Sequence, residues 1–294
     1  MTYSEIWHRI ATSYDDGEAR AIARILIEEL FGLSYADIVC GATEQLSADD
    51  TLRLDTAVRR IEQGEPLQHV LGYADFCGNR FCVNGSVLIP RPETEWLVDE
   101  GAKLMDGCVA SDETQHKAPH SPKRILDIGT GSGCIAISLK LRLGDAYVEA
   151  WDISEEALRT AQDNADALKA EVVFRKRDAL RADNTAAPWD LIVSNPPYIC
   201  DSEHSAMDDN VLLHEPHTAL FVPDDDPLRF YRAIARYALL TLNIGGNLLF
   251  ECNTRYAEAT GKMLSDIGFE EVTVSDDCFS LPRFVRGRKN SHNQ

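Results

Sequence analysis

Hydrophobic positions along the 294-residue chain change their spacing twice. From Tyr3 to about Glu62 they recur at helical offsets. In residues 21–31 Ile22, Ile25, Leu26, Glu29 and Leu30 fall at helical offsets, with apolar residues dominating that face, and Gly32 follows as a stop. Ser47 opens a second helix carrying Leu52, Leu54, Ala57, Val58 and Ile61, which Gly64 and Pro66 close. No strand pattern interrupts this stretch, so residues 1–75 read as a helical bundle. The spacing then shortens. Phe76, Phe81, Val83, Val87 and Ile89 flank Asn84-Gly85, a strong turn signal, which places a β-hairpin linker over 76–90. From 91 to 294 short β-branched runs at 124–128, 147–152, 171–175, 191–193 and 247–251 alternate with helical patterns. The helical pattern over 228–242 is expected to break at Gly245-Gly246. Residues 269–274 and 284–288 read as an antiparallel pair at a sheet edge. The alternation predicts an α/β domain with a doubly wound, mixed sheet.

Charge narrows the partners. The formal net charge is −19, and a protein that lives on phosphate backbones needs a surplus of Lys and Arg to displace counterions. Stable nucleic-acid binding is therefore not expected. Eight cysteines lack any Cys-x-x-Cys spacing, so they point to free thiols rather than to a zinc site. The start of the chain has no apolar signal region and no stretch is long enough to span a bilayer, which leads to the expectation of a cytoplasmic protein without membrane contact. A polar stretch, 106–124, reads as a linker.

Candidate chemistry concentrates at the ends of the predicted strands. Leu191-Ile192-Val193 runs into Ser194-Asn195-Pro196-Pro197-Tyr198. Neither proline can donate to a sheet ladder, and both fix φ, so the chain leaves the sheet stiffly at Asn195. That corner holds an amide side chain and a backbone carbonyl at the carboxyl edge, where open α/β sheets bind ligands. Two rigid acceptors suit an –NH2 group, and Tyr198 adds a flat face for a planar one. Ile125-Leu126-Asp127-Ile128 leads into Gly129-Thr130-Gly131-Ser132-Gly133 and then a helix. Cys134 stands where a dinucleotide fingerprint has its third glycine, and no Gly-Lys-Ser/Thr of a P-loop follows. The pattern suits a nucleoside carrying an amino-acid tail, whose ammonium Asp127 meets directly or through water. Asp152, ending the next strand, can accept two ribose hydroxyls, although Ser154 nearby shows that helix capping is an alternative use. Asp178, after the third strand, suits an exocyclic amine or a plain surface turn. The loop from Asp201 to His217 carries three histidines among carboxylates without the spacing of helical metal ligands, so no metal is expected.

Taken in order, the helical bundle, Ile89-Pro90-Arg91-Pro92-Glu93-Thr94-Glu95, Asp127 to Gly133, Asn195-Pro196-Pro197-Tyr198-Ile199 and Glu215-Pro216 resemble the HemK/PrmC family of peptide chain release factor glutamine methyltransferases. The resemblance covers nearly the whole chain. It implies a class I S-adenosylmethionine-dependent methyltransferase fold, Rossmann-like and seven-stranded, over 91–294, behind a helical substrate-binding domain. It implies methylation of the side-chain amide nitrogen of the glutamine in a release factor's Gly-Gly-Gln loop by a monomer. By position, Asp127, Gly129, Thr130, Gly131, Ser132, Gly133, Asp152, Asp178 and Ala179 would bind S-adenosyl-L-methionine. Ala179 stands where some relatives carry an aromatic residue. Asn195, Pro196, Pro197 and Tyr198 would bind glutamine and carry the transfer, with Asn195 also beside the cofactor and Arg91 and Glu215 on the substrate side. An adenine-N6 or guanine-N2 methyltransferase of DNA or RNA is the alternative, since it uses the same corner on a flipped base. A non-catalytic cofactor-binding protein is a third reading. Binding to nucleic acid at low salt separates the first two, and methyl transfer into any substrate discards the last.

Overall fold

The computed structural model describes residues 1–107, 122–182, 188–206 and 209–290. The stretch expected to be a linker lies, from 108 to 121, outside them. The chain forms two compact units. The first takes in Met1–Tyr73, Val83–Gly85 and the helix Asp209–His214. Its helices are α1 (Tyr3–Ile10), α2 (Asp16–Phe31), α3 (Tyr35–Val39), α4 (Ala48–Glu62) and α5 (Leu67–Leu71). Polar side chains start α1 to α4. Thr2 and Glu5 form a reciprocal capping box on α1, Asp15 accepts two amides of α2, and Ser47 accepts the Asp50 amide on α4. Ile6, Ile10, Leu26, Ile27, Leu54, Val58 and Ile61 fill the core between them. Leu52, expected on the apolar face of α4, is exposed.

The second unit opens with a hairpin, β1 (Tyr73–Phe76) and β2 (Asn79–Cys82). The turn lies at Cys77-Gly78, both at positive φ (47° and 73°), not at Asn84-Gly85 as the sequence suggests. A two-residue loop with both φ positive matches strand twist, and Gly78 takes one of those positions without strain. The remaining elements are α6 (Glu95–Gly107), β3 (Arg124–Ile128), α7 (Cys134–Leu143), β4 (Tyr147–Asp152), α8 (Glu155–Leu168), β5 (Val172–Lys176), β6 (Trp189–Ser194), β7 (Ile199–Cys200), α9 (Asp209–His214, of the first unit), α10 (His217–Leu220), β8 (Phe221–Val222), α11 (Arg229–Thr241), β9 (Leu242–Glu251), α12 (Ala257–Ile267), β10 (Glu270–Asp276) and β11 (Pro282–Arg288).

Seven strands form one sheet in the order β10-β11-β9-β6-β3-β4-β5. β3, β4, β5, β6 and β9 pair in parallel, while β11 is antiparallel to both β9 and β10. The sheet is mixed, with the edge hairpin that the sequence predicts. Alternate side chains serve the two faces. Ile125, Val148, Leu191, Val193 and Leu249 join Leu97 and Leu139 on one side. Leu126, Ile128, Ile192, Leu248 and Phe250 join Ile234 and Leu264 on the other. Gly245 and Gly246 do not break a helix. α11 has ended at Thr241, and the glycines sit inside β9, where the register against β6 jumps from Trp189↔Leu242 to Leu191↔Asn247. The chain runs outward through β4 and β5 and returns to β6 on the opposite side of β3. That reversal opens a crevice at the carboxyl ends of β3 and β6, the usual ligand position in such sheets.

Candidate active site

The two segments that leave β3 and β6 meet at this crevice. Ile128 pairs with Ser194, whose hydroxyl donates to the Ile128 carbonyl at 2.6 Å. A Cβ on Gly129 would come within 3.9 Å of the Asn195 carbonyl. Beside this junction is a cavity of about 350 Å³. Gly129, Gly131, Asp152, Asp178, Ala179, Asn195, Pro196 and Pro197 all line it. Thus eight of the positions singled out in the sequence, drawn from four strand ends, surround one volume. Thr130, Ser132, Gly133, Asp127 and Tyr198 are not on its wall, nor are Arg91 and Glu215. Arg91 is half-buried in extended backbone before the turn Pro92–Thr94, and Glu215 is buried in the first unit directly before Pro216.

The glycine turn is held from behind. The amides of Gly129 and Thr130 both donate to the Trp151 carbonyl at 2.9 Å. The Thr130 hydroxyl donates to Asp127 Oδ2 at 2.7 Å. Asp127 is fully buried, and that burial pushes its carboxyl up to about 7. Its Oδ1 has no hydrogen-bond partner. Gly133 caps α7 at φ 82°, and a Cβ there would lie 2.9 Å from Ile137 Cδ1 and 3.1 Å from Ala161 Cβ. Only glycine lets α7 and α8 approach so closely. Asn164 of α8 ties the turn to the hairpin. Its Nδ2 donates to the carbonyls of Ser132 and Cys82, and its Oδ1 accepts the Cys82 amide at 2.7 Å.

Asp152 works from the cavity side. Oδ2 accepts the Gly131 amide and Oδ1 the Ser154 amide, each at 2.9 Å. Burial raises its carboxyl above the usual range, and these amides oppose the rise. Helix α8 is capped by the Ser154 hydroxyl instead, on the Ala157 amide. Asp178 Oδ1 accepts the Leu180 amide at 2.9 Å, which turns Ala179 and Leu180 onto the wall.

The diproline corner is supported by residues that sequence reasoning missed. Asn195 Nδ2 donates to the Thr94 hydroxyl oxygen at 3.4 Å, and Thr94 in turn donates to Glu251 Oε2 at 2.6 Å. Tyr198 donates its hydroxyl to Glu251 Oε1 at 3.3 Å, and its amide to the Leu220 carbonyl at 3.2 Å. Glu251 and Thr94 are both buried. Burial raises the Glu251 carboxyl and the Tyr198 phenol above their ordinary values. A threonine flanked by Glu93 and Glu95 was the only local signal. Phe221 and Phe230 also line the cavity; in the sequence they read as ordinary apolar positions.

His204 and His217 pack around Phe221, with ring centroids 5.5 and 5.0 Å from it. Among the described residues no group of three or more His, Cys, Asp or Glu is placed to hold a metal ion. The described cysteines are free thiols. No helix among the described residues is long and apolar enough to cross a membrane.

A seven-stranded sheet of this order, ending in an antiparallel pair and opening its crevice beside the glycine turn after β3, is the fold of class I S-adenosylmethionine-dependent methyltransferases. The solved hMettl16 catalytic domain, in complex with the MAT2A 3′UTR hairpin 6, has the same fold at a TM-score of 0.54 and 16% identity, with 84% of each chain covered. Family models match as a PrmC N-terminal domain over residues 8–72 and a methyltransferase small domain over residues 96–220. A release factor glutamine methyltransferase of Bacteroides thetaiotaomicron is 43% identical, over 94% of this chain and 95% of its own. One from Flavobacterium psychrophilum is 36% identical over 94% of each. The chain belongs to the HemK/PrmC family of release factor glutamine methyltransferases.

Proposed function

We propose that this chain transfers a methyl group from S-adenosyl-L-methionine to the side-chain amide nitrogen of the glutamine in the Gly-Gly-Gln motif of class I peptide chain release factors, acting as a monomer in the cytoplasm. The observation that carries this reading is the convergence of the glycine turn and the Asn195-Pro196-Pro197 corner on one cavity. The cavity also fits the cofactor. Space is open where a Gly131 side chain would stand, the Asp152 carboxylate is on the wall, and the Asp127 Oδ1 behind the turn lacks a donor. Gly129 and Gly131 would hold the amino-acid tail, Asp152 the ribose hydroxyls, and Asp178 the adenine amine between Ile153 and Leu180.

S-adenosylmethionine supplies, when bound, a methyl group on a positively charged sulfur. The protein has to present a poor nucleophile to it, since an amide lone pair is delocalised into its carbonyl. Asn195 Oδ1 and the Pro196 carbonyl accept the two N–H groups of the substrate carboxamide. Held this way, the nitrogen turns its lone pair out of conjugation. The prolines fix φ on either side of the Pro196 carbonyl, so the corner needs no reorganisation as charge develops. No strong base is required, because the surplus proton passes to water once the nitrogen carries the methyl group. Positioning supplies most of the acceleration. Arg91 and Glu215 contribute to the substrate side rather than to the transfer.

Peptide-mapped mass spectrometry of a release factor incubated with the enzyme and cofactor tests the proposal. One added methyl on the Gly-Gly-Gln glutamine is expected. Methyl transfer into DNA or rRNA, with none into the factor, would overturn it; the net charge of −19 argues against that outcome.

A further inference from the structure

Glu251 ends β9 with its carboxylate sealed from solvent, 1% exposed, and it is absent from the cavity wall. A carboxylate removed from water costs several kcal/mol unless it is well partnered, so its position calls for an explanation. Arg283 is the cation that faces it, but the Arg283 Nε is bonded to Asp277 Oδ2 at 2.7 Å. The partners that touch Glu251 are hydroxyls, Thr94 on Oε2 and Tyr198 on Oε1.

The direction of these bonds matters more than their number. Both oxygens of Glu251 accept, Oε2 from Thr94 and Oε1 from Tyr198. The single proton of Thr94 is therefore committed to Glu251, and the Thr94 oxygen can only accept from its other neighbour. That neighbour is the Asn195 amide, whose donor end, Nδ2, lies 3.4 Å away. With Nδ2 committed to Thr94, Oδ1 is the end left to accept from a substrate. Were the order reversed, Asn195 would offer a donor to a substrate –NH2 group, and two donors would face each other.

We infer that Glu251 is a positioning residue that acts through Thr94 to fix which end of the Asn195 amide meets the substrate carboxamide, while its second oxygen anchors Tyr198 at the far side of the diproline corner. The inference rests on the reading of Asn195 as an acceptor for the substrate nitrogen. It assigns no contact between Glu251 and substrate or cofactor.

The test separates polarity from packing. Thr94→Val keeps the shape of the side chain and removes the hydroxyl, whereas Thr94→Ser keeps the hydroxyl. Glu251→Gln offers Thr94 an –NH2 group, which frees the Thr94 proton for Asn195 and reverses the relay. Thr94→Val and Glu251→Gln should each lower kcat/KM for the release factor by about 10- to 100-fold, the loss of one charge-assisted hydrogen bond. Thr94→Ser should stay close to wild type. Cofactor affinity should change little in all three, and Tm should fall in Thr94→Val, which leaves Glu251 Oε2 without its donor, but not in Thr94→Ser. The double variant Thr94→Val/Glu251→Gln should be no worse than the poorer single variant, because the two residues form one relay. Wild-type turnover in Thr94→Val, or losses that multiply in the double variant, would overturn the assignment. Should Thr94→Val fail to fold, the comparison of Glu251→Gln with Thr94→Ser decides the matter on the same terms. Failure of the unaltered enzyme to methylate any release factor would instead bring down the substrate reading, and this assignment with it.

Discussion

The two corners that face the cavity are rigid for opposite reasons. The glycine turn has no side chain at Gly129, Gly131 and Gly133, and it is shaped by Asp127, three residues before Thr130, and by the next strand's end, where Asp152 lies 21 residues after Gly131. The diproline corner has bulk instead, with two rings that fix φ, and it is braced across the fold. Asn195 leans on Thr94, 101 residues earlier, and Tyr198 on Glu251, 53 residues later. Both corners can be read from their own residues, but the braces of the second, Thr94 and Glu251, cannot. The difference suits their tasks, because a tail-binding turn needs close backbone approach, whereas a carboxamide clamp needs two acceptors held at a fixed separation.

Four substitutions sharpen this contrast. The largest effect is expected for Asn195→Ala, which removes a pre-aimed acceptor. Turnover of release factor should fall by about a hundred-fold or more, with cofactor affinity less affected, in a labelled-methyl assay. Near-normal turnover would make the two corners equivalent. Gly133→Ala strikes the opposite corner through packing, since its Cβ would press on Ile137 and Ala161 at positive φ. A loss of about 2 kcal/mol of stability in urea unfolding is expected, with weaker cofactor binding. Asp152→Asn should weaken cofactor binding by about ten-fold in calorimetry, with turnover at saturating cofactor largely kept. Asn164→Ala removes the three hydrogen bonds that the buried Asn164 side chain makes to Ser132 and Cys82, and should cost about 1–3 kcal/mol while leaving the diproline corner intact.

A pH series probes the same turn by another route. The folded carboxyl of Asp127, at about 7, lies well above an unfolded aspartate. The folded state therefore binds its proton more tightly. The stability this group contributes is fully present below the unfolded pKa, near 3.8, and is lost as pH rises through about 7. Asp127→Asn should flatten the fall in Tm between about pH 4 and pH 7. An unchanged slope would show that another buried carboxyl, such as Asp152, governs it.

How much the sequence reveals follows the same division. The strands, their order of alternation and the antiparallel edge were legible because burial on two faces leaves uninterrupted apolar runs. The glycine turn was legible because its residues are contiguous. The hairpin was placed at Asn84-Gly85 on the strength of the dipeptide, yet the turn formed at Cys77-Gly78, because strand pairing outweighs a local preference. Gly245-Gly246 read as a helix stop, but they accommodate a register jump that depends on β6 beside them. Thr94 and Glu251 were illegible for a related reason. One looks like part of a helix start and the other like the polar end of a strand, and only the closed sheet brings them together.

A crystal structure of the enzyme with S-adenosylhomocysteine and a Gly-Gly-Gln peptide tests the central claim most directly. The glutamine side chain should lie at the cavity, with its nitrogen donating to both Asn195 Oδ1 and the Pro196 carbonyl. A carboxamide bound elsewhere, or a corner turned to bulk solvent with the cofactor in place, would contradict it.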